Sequence, residues 1–252
     1  MWGQMKTYDF CITNCDTDSI SFRKKDGSEF TQNEQKQLID EINSILPIMI
    51  EYEDDGYFQN VLITKAKNYV LYDGKKVKYK GSSLTDSKKE PALKEMLNRL
   101  IEDIMFNESK SLTYIYHNYI KEAANIKDIS RWCTKKSISA KVLNPSRTNE
   151  QKILNAVSHL NPREGDKYLL YSALDGMTQD VKKGEPVFLK SGKAKMVPNK
   201  ILKVDSEWCN DEDMEHYLKR VYMTLEILKN VIDMGQFIKY HLKSNIGKVE
   251  KL

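Results

Sequence analysis

The stretch CITNCDTDSISF, residues 11–22, constrains the fold more than any other part of the chain. Phe10 and Ile12 stand with one residue between them in a strand-like run up to Cys15, aspartates follow at 16 and 18, and alternation resumes with Ile20 and Phe22. Alternation with a period of two marks a half-buried strand, and an acidic break in its middle predicts a hairpin with Asp16 and Asp18 at its tip. Phe10, Ile12 and Asn14 are expected on one face, and Cys11, Thr13 and Cys15 on the other. Two residues with one between them on a strand point to the same side, roughly 6.5 Å from each other. Negative charge concentrated in this way is costly unless a cation or a cationic side chain compensates it. Mg2+ takes one or two protein carboxylates and completes its octahedron with water and phosphate oxygens, so D-x-D at a hairpin tip suits phosphoryl chemistry. The alternatives are an exposed acidic turn, or a turn in which both aspartates cap backbone amides.

The rest of the pattern is α+β. Thr31 and Glu34 have capping-box spacing ahead of a helix that carries Leu38, Ile39, Ile42, Ile45 and Leu46 on one face and ends at Pro47. PIMIEY is expected to be a strand, and VLITKAKNYVLYDGKKVKYKG a further strand leading into a hairpin whose Asp73-Gly74 pair suits a type I′ turn. The character changes near Ser82. PALKEMLNRLIEDIMF has the apolar spacing of an amphipathic helix with proline in its first turn. SLTYIYHNYIKEAANI is expected to be a second helix, with Tyr114, Tyr116 and Tyr119 packing in its core and on its surface. ISRWCTKKSIS predicts an extended segment, NEQKILNAVSHL a helix and GDKYLLYSAL a strand. Residues 175–206 look like an insertion rich in loops, and DEDMEHYLKRVYMTLEILKNVIDMGQFIKYHL like one long helix or two, opening on an acidic first turn.

Composition narrows the function classes. The chain has 252 residues, 40% hydrophobic and 30% charged, enough for one good core or two smaller ones. It has no run of 18 apolar residues, and MWGQMKTYDF lacks the order of a signal peptide, so the expectation is a cytoplasmic protein with no membrane role. The four cysteines, at 11, 15, 133 and 209, form no C-x-x-C pair and have no histidines at ligand spacing, which favours reduced thiols over a zinc site or a disulfide framework. The net charge of +4 is uneven. Between Lys65 and Lys89 lie eight lysines (65, 67, 75, 76, 78, 80, 88 and 89) against Asp73 and Asp86, a patch that suits a polyanion or forms a solvated face.

CDTDSI resembles the motif C hairpin of family B DNA polymerases, in which Y-x-D-T-D-S joins two palm strands. Asp16 to Ser19 supply D-T-D-S, and Asn14 stands where the family usually has Tyr. KAKNYV resembles the family's K-x-Y element at Lys67 and Tyr69, where a lysine donor meets minor-groove acceptors that every base pair presents. IEYED is similar to the acidic-aromatic palm segment ahead of K-x-Y and makes Glu53 a supporting carboxylate. Lys80-Gly81 resembles the K-G pair between palm and thumb, ISRWCTKKSIS a thumb segment matched at Thr134, Lys135 and Ser137, and GDKYLLY a G-D-hydrophobic element. The similarity is collinear from about residue 10 to residue 240, and phage-type replicative enzymes look like the nearest kin.

The resemblance implies a partial palm, an antiparallel sheet with a helix, over 1–85, and a mainly helical thumb over 86–252. It implies the C-terminal fragment or subunit of a DNA-directed DNA polymerase, in a bacterial or phage-infected cell. Asp18 and Asp16 would be the catalytic metal ligands for Mg2+, with Thr17, Ser19 and Glu53 around them. Lys67, Tyr69, Lys80, Lys135 and Lys136 would grip primer–template DNA, and dNTP would be the substrate. Motif A, the fingers and the exonuclease domain belong ahead of motif C in the family, and only fifteen residues precede Asp16. The expectation is therefore a split or truncated gene, whose two-metal site is completed by a carboxylate from a separate N-terminal polypeptide. The alternative is a non-catalytic DNA-binding remnant, and a scaffold with no nucleic-acid role is the third reading. KSNIGKVEKL lacks the paired aromatics of a sliding-clamp peptide.

Overall fold

The computed structural model describes residues 10–16, 19–174 and 200–237. The chain divides into two compact units, Met1–Thr85 and Asp86–Leu252. Its architecture is α+β, with three small antiparallel sheets among the described residues.

In the first unit, β1 (Phe10–Asp16) and β2 (Ser19–Lys24) form the acidic hairpin, and their ladder closes on the pair Asp16–Ser19. The register slips at Thr13, from Ile12 opposite Phe22 to Asn14 opposite Ser21. One extra residue in a strand reverses the faces beyond it. Cys15, opposite Ile20, therefore joins Phe10 and Ile12, while Asn14 falls with Cys11. This corrects the uninterrupted alternation expected from sequence. The Phe10 and Phe22 rings meet edge to face at 5.1 Å.

Helix α1 (Gln32–Ser44) begins with the expected capping box: the Thr31 hydroxyl accepts from the Glu34 amide at 3.3 Å, and the Glu34 carboxylate accepts from the Thr31 amide at 2.7 Å. Its buried stripe is Leu38 and Ile42. PIMIEY is not a strand, a second correction, and the chain from 47 to 59 has no regular structure. Pro47 has no amide to give to a ladder. The Asn43 side chain donates to the Tyr52 carbonyl at 3.0 Å and accepts its amide at 2.7 Å, so a helix residue takes the bonds that a neighbouring strand would have taken. Ile48 and Met49 are left fully exposed.

A separate sheet follows, β3 (Asn60–Lys65), β4 (Asn68–Tyr72) and β5 (Val77–Lys80), with β4 in the centre. What looked like one strand before Asp73 is two, doubled back at Ala66-Lys67. The next connection spans residues 73–76 rather than a two-residue type I′ turn, because the Asp73 Oδ1 accepts the amides of Lys75 and Lys76 at 3.0 and 2.8 Å and draws the chain around itself. A single helical turn, α2 (Ser82–Thr85), buries Leu84.

The second unit is larger-cored. Helices α3 (Pro91–Phe106), α4 (Leu112–Ala124) and α7 (Met214–Leu225) pack together. They bury Leu93, Met96, Leu97, Leu100 and Ile101 with Ile115, Tyr116, Ile120, Leu218, Val221 and Leu225. Tyr119 is buried and Tyr114 exposed, as core-and-surface packing requires. The sheet is β6 (Thr134–Ser137), β7 (Lys167–Leu174) and β8 (Lys200–Val204), with β7 in the centre. Short α5 (Ala140–Leu143) and α6 (Thr148–Val157) complete a cluster of Ile138, Val142, Ile153, Val157, Leu170 and Val204.

Two expectations change here. The insertion contains strand β8, and its residues 175–199 lie outside the described residues. The last helix stops at Leu225, and the chain turns so that Phe237 meets the Tyr116 ring edge to face at 5.4 Å.

Candidate nucleic-acid interface

Asp16 is the last residue of β1, and Ser19 is the first of β2. Thr17 and Asp18 lie outside the described residues. The sequence step between Asp16 and Asp18 spans at most about 7 Å of extended chain. Two carboxylates within that reach are hard oxygen donors of the kind Mg2+ takes, and they fall short of the full set a two-metal site requires. Among the described residues, no three His, Cys, Asp or Glu side chains cluster as metal ligands.

The three-stranded sheet brings three of the expected DNA-binding residues together. Tyr69 on β4 lies directly opposite Lys80 on β5 and Ile63 on β3, and Leu71 lies opposite Lys78 and Val61. Residues opposite one another share a face, so Lys78 and Lys80 flank Tyr69 and Leu71 on one side of the sheet. The other side carries Val70, which is fully buried, with Leu62 and Tyr79 across from it. Lys78 is engaged within the unit: its ammonium lies 3.6 Å from Asp73 and 5.4 Å from the centre of the Phe58 ring. Lys67 and Lys80 are exposed, and Tyr69 is half-buried.

Lys67 sits at the β3–β4 turn with φ 59°, in the left-handed region. For a residue with a Cβ this conformation costs about 1–2 kcal/mol. The surroundings hold it. Asn68, 5% exposed, donates from Nδ2 to the Ala66 carbonyl at 2.9 Å and accepts at Oδ1 from the Ser83 amide at 3.0 Å and from the Ser83 hydroxyl. The fully buried Thr64 hydroxyl donates to the Asn68 carbonyl at 3.0 Å. Gly81 has φ 98°, and a Cβ there would come within 2.1 Å of the Lys67 carbonyl oxygen. Sequence reasoning singled out Lys67, Tyr69, Lys80 and Gly81 and passed over Thr64, Asn68 and Ser83. The available signal was an asparagine beside a lysine at a strand break, ahead of G-S-S.

The remaining expected residues lie elsewhere. Glu53 is exposed in the irregular segment after α1. Lys135 and Lys136 are consecutive on β6 in the second unit, opposite Leu169 and Tyr168. Successive strand residues point to opposite faces. Lys136 therefore shares the side of Tyr168 and the buried Leu170, and Lys135 faces away from it.

The acidic run before α7 does more than open a helix. Asp211, Glu212 and Asp213 are all buried. Leu174 donates its amide to the Asp211 carbonyl, and the Asp213 amide donates to the Ser172 carbonyl, both at 2.9 Å, which extends the sheet beside β7 where β6 has ended. Burial raises the Asp211 carboxyl, but hydrogen bonds from Lys203 and from the Tyr171 hydroxyl, at 2.8 Å, outweigh it and hold the group below the usual range. The Trp208 indole donates to Glu212 at 2.7 Å, and Asp213 accepts the His216 amide at 3.1 Å as the N-cap of α7. These carboxylates are committed to structure.

No protein-family model matches the chain, and no curated protein matches it.

Proposed function

We propose that this chain is the C-terminal part of a DNA-directed DNA polymerase of the family B type, its first unit the rear of a palm and its second unit a thumb. The observation that carries this reading is the convergence of Lys67, Tyr69 and Lys80 on one sheet, in the same unit as a D-T-D-S hairpin. Lysines flanking an aromatic give salt-dependent contacts to a phosphate backbone without choosing sequence. Lys135, exposed on β6, adds a further backbone contact, and Lys136 lies on the other face of that strand.

Asp16 and Asp18 are the ligands for Mg2+, which when bound stabilises charge on the transferring phosphoryl group of a dNTP. Thr17, Ser19 and Glu53 are the residues proposed to support those carboxylates. The missing carboxylate comes from a separate N-terminal polypeptide that also brings the fingers. The thin core of the first unit supports such a partner: among its described residues the buried hydrophobics are Leu38, Ile42, Val70, Leu71 and Leu84, while Ile12, Ile45, Ile48, Met49, Ile50, Tyr57 and Val61 are exposed. Ile48, Met49 and Ile50, consecutive and exposed, form an apolar segment that such a partner would cover.

The test mixes the chain with a polypeptide that carries motif A and fingers and follows primer extension with Mg2+. Extension is expected from the mixture and not from either chain alone. Asp16→Asn and Asp18→Asn are expected to abolish it while duplex affinity stays at the unsubstituted level. Extension by this chain alone overturns the split site. Duplex binding without synthesis under any pairing leaves the DNA-binding remnant as the function.

A further inference from the structure

A hairpin turn built for stability alone places Gly or Asn at its left-handed position, since those residues adopt positive φ at least cost. Here the position is Lys67, exposed and with φ 59°. Four residues outside the turn hold it there. Asn68 ties Ala66 to Ser83, Thr64 anchors the Asn68 carbonyl, and Gly81 leaves room for the Lys67 carbonyl where any Cβ would collide. The bonds that constrain the turn thus run to the segment directly after Lys80, so one lock fixes both lysine-bearing stretches. Strain maintained by surrounding structure at an exposed charged residue points to use of its side chain.

We propose that Asn68 is a positioning residue: with Thr64, Ser83 and Gly81 it holds the Lys67 turn left-handed and thereby aims the Lys67 ammonium, beside Lys80, at a nucleic-acid phosphodiester. The inference rests on the nucleic-acid reading of this sheet. A lysine on a flexible loop loses side-chain and backbone freedom when it engages a phosphate. A lysine on a locked turn has lost the backbone part already, and its contact is stronger for that reason.

The experiment measures duplex affinity for a primer–template DNA between about 50 and 200 mM NaCl, together with thermal melting in the absence of DNA. The variants are Lys67→Gly, Asn68→Ala and the pair combined. Lys67→Gly is expected to melt higher than the unsubstituted chain, to bind several-fold more weakly at low salt, and to reduce the salt slope by about one. Asn68→Ala is expected to show the same loss of affinity and slope although Lys67 is present. In the Lys67→Gly background it is expected to cost no further affinity, because both changes act through one contact.

A purely structural Asn68 lowers affinity by the same factor in both backgrounds or in neither, and either result overturns the proposal. So does Lys67→Gly that keeps the original affinity and slope. If Asn68→Ala does not fold, Ser83→Ala, which removes one of the bonds to Oδ1, is carried through the same cycle with the same expected loss. Failure of the unsubstituted chain to bind duplex at low salt sinks the nucleic-acid reading itself and takes the positioning role with it. Binding by the unsubstituted chain with a flat cycle sinks the positioning role alone.

Discussion

Gly81 has more influence on the first unit than its size suggests. Its missing Cβ is where the Lys67 carbonyl sits, and the neighbour that would have to move is backbone, so Gly81→Ala is expected to lower stability by about 2–3 kcal/mol in urea unfolding. Glu34 offers a pH test. Its hydrogen bond to Lys24, followed by those to the Thr31 amide and hydroxyl, lowers its carboxyl from 4.5 to about 2. The folded value is below the unfolded one, so the capping contribution is complete above about pH 4.5 and is lost as pH falls toward 2. An NMR titration of the Glu34 carboxyl should give a midpoint near 2, with the start of α1 fraying over the same interval. The capping box was legible because it is local, two residues three apart. The Asn68 lock was not, because its partner Ser83 lies fifteen residues away and nothing in either side chain announces the other.

Between elements of the second unit, Glu90, 1% exposed at the N-terminus of α3, ties to α7: its two oxygens accept from Arg220 at 2.8 and 2.6 Å. Glu90→Gln leaves the guanidinium with a weaker partner in a partly buried site and is expected to cost about 3 kcal/mol by chemical denaturation. Cys133 lies in the same unit at the end of the Ile129–Trp132 turn, and burial, then Asp205, Asp128 and Glu90, push its thiol up to about 12. Iodoacetamide at pH 8 should label exposed Cys15 and Cys209 and leave Cys133 unmodified until the chain unfolds. Helix α3 was legible to the residue, since its apolar positions recur at three and four between a proline and Asn107. The end of α7 was not. The apolar spacing continues beyond Leu225, and the stop comes from Leu228 and Phe237 finding burial elsewhere. Strand β8 was hidden for a similar reason, because KILKV gains its identity from pairing with β7.

At the scale of the molecule, the two units differ in how much apolar surface they enclose, and the difference has a measurable form. Hydrogen exchange on the intact chain should show amides of β3–β5 exchanging through smaller openings than those of α3, α4 and α7. A partner that completes the first unit should slow its exchange and leave the second unchanged. The order of the units along the chain gives the imbalance a consequence in time. At about 5–20 residues per second, a ribosome finishes residues 86–252 roughly 10–30 seconds after residues 1–85. Throughout that interval the nascent segment carries uncovered Ile48, Met49 and Ile50 with few buried contacts to stabilise it, so capture during translation, by a companion chain or by a chaperone, competes directly with clumping on the polysome.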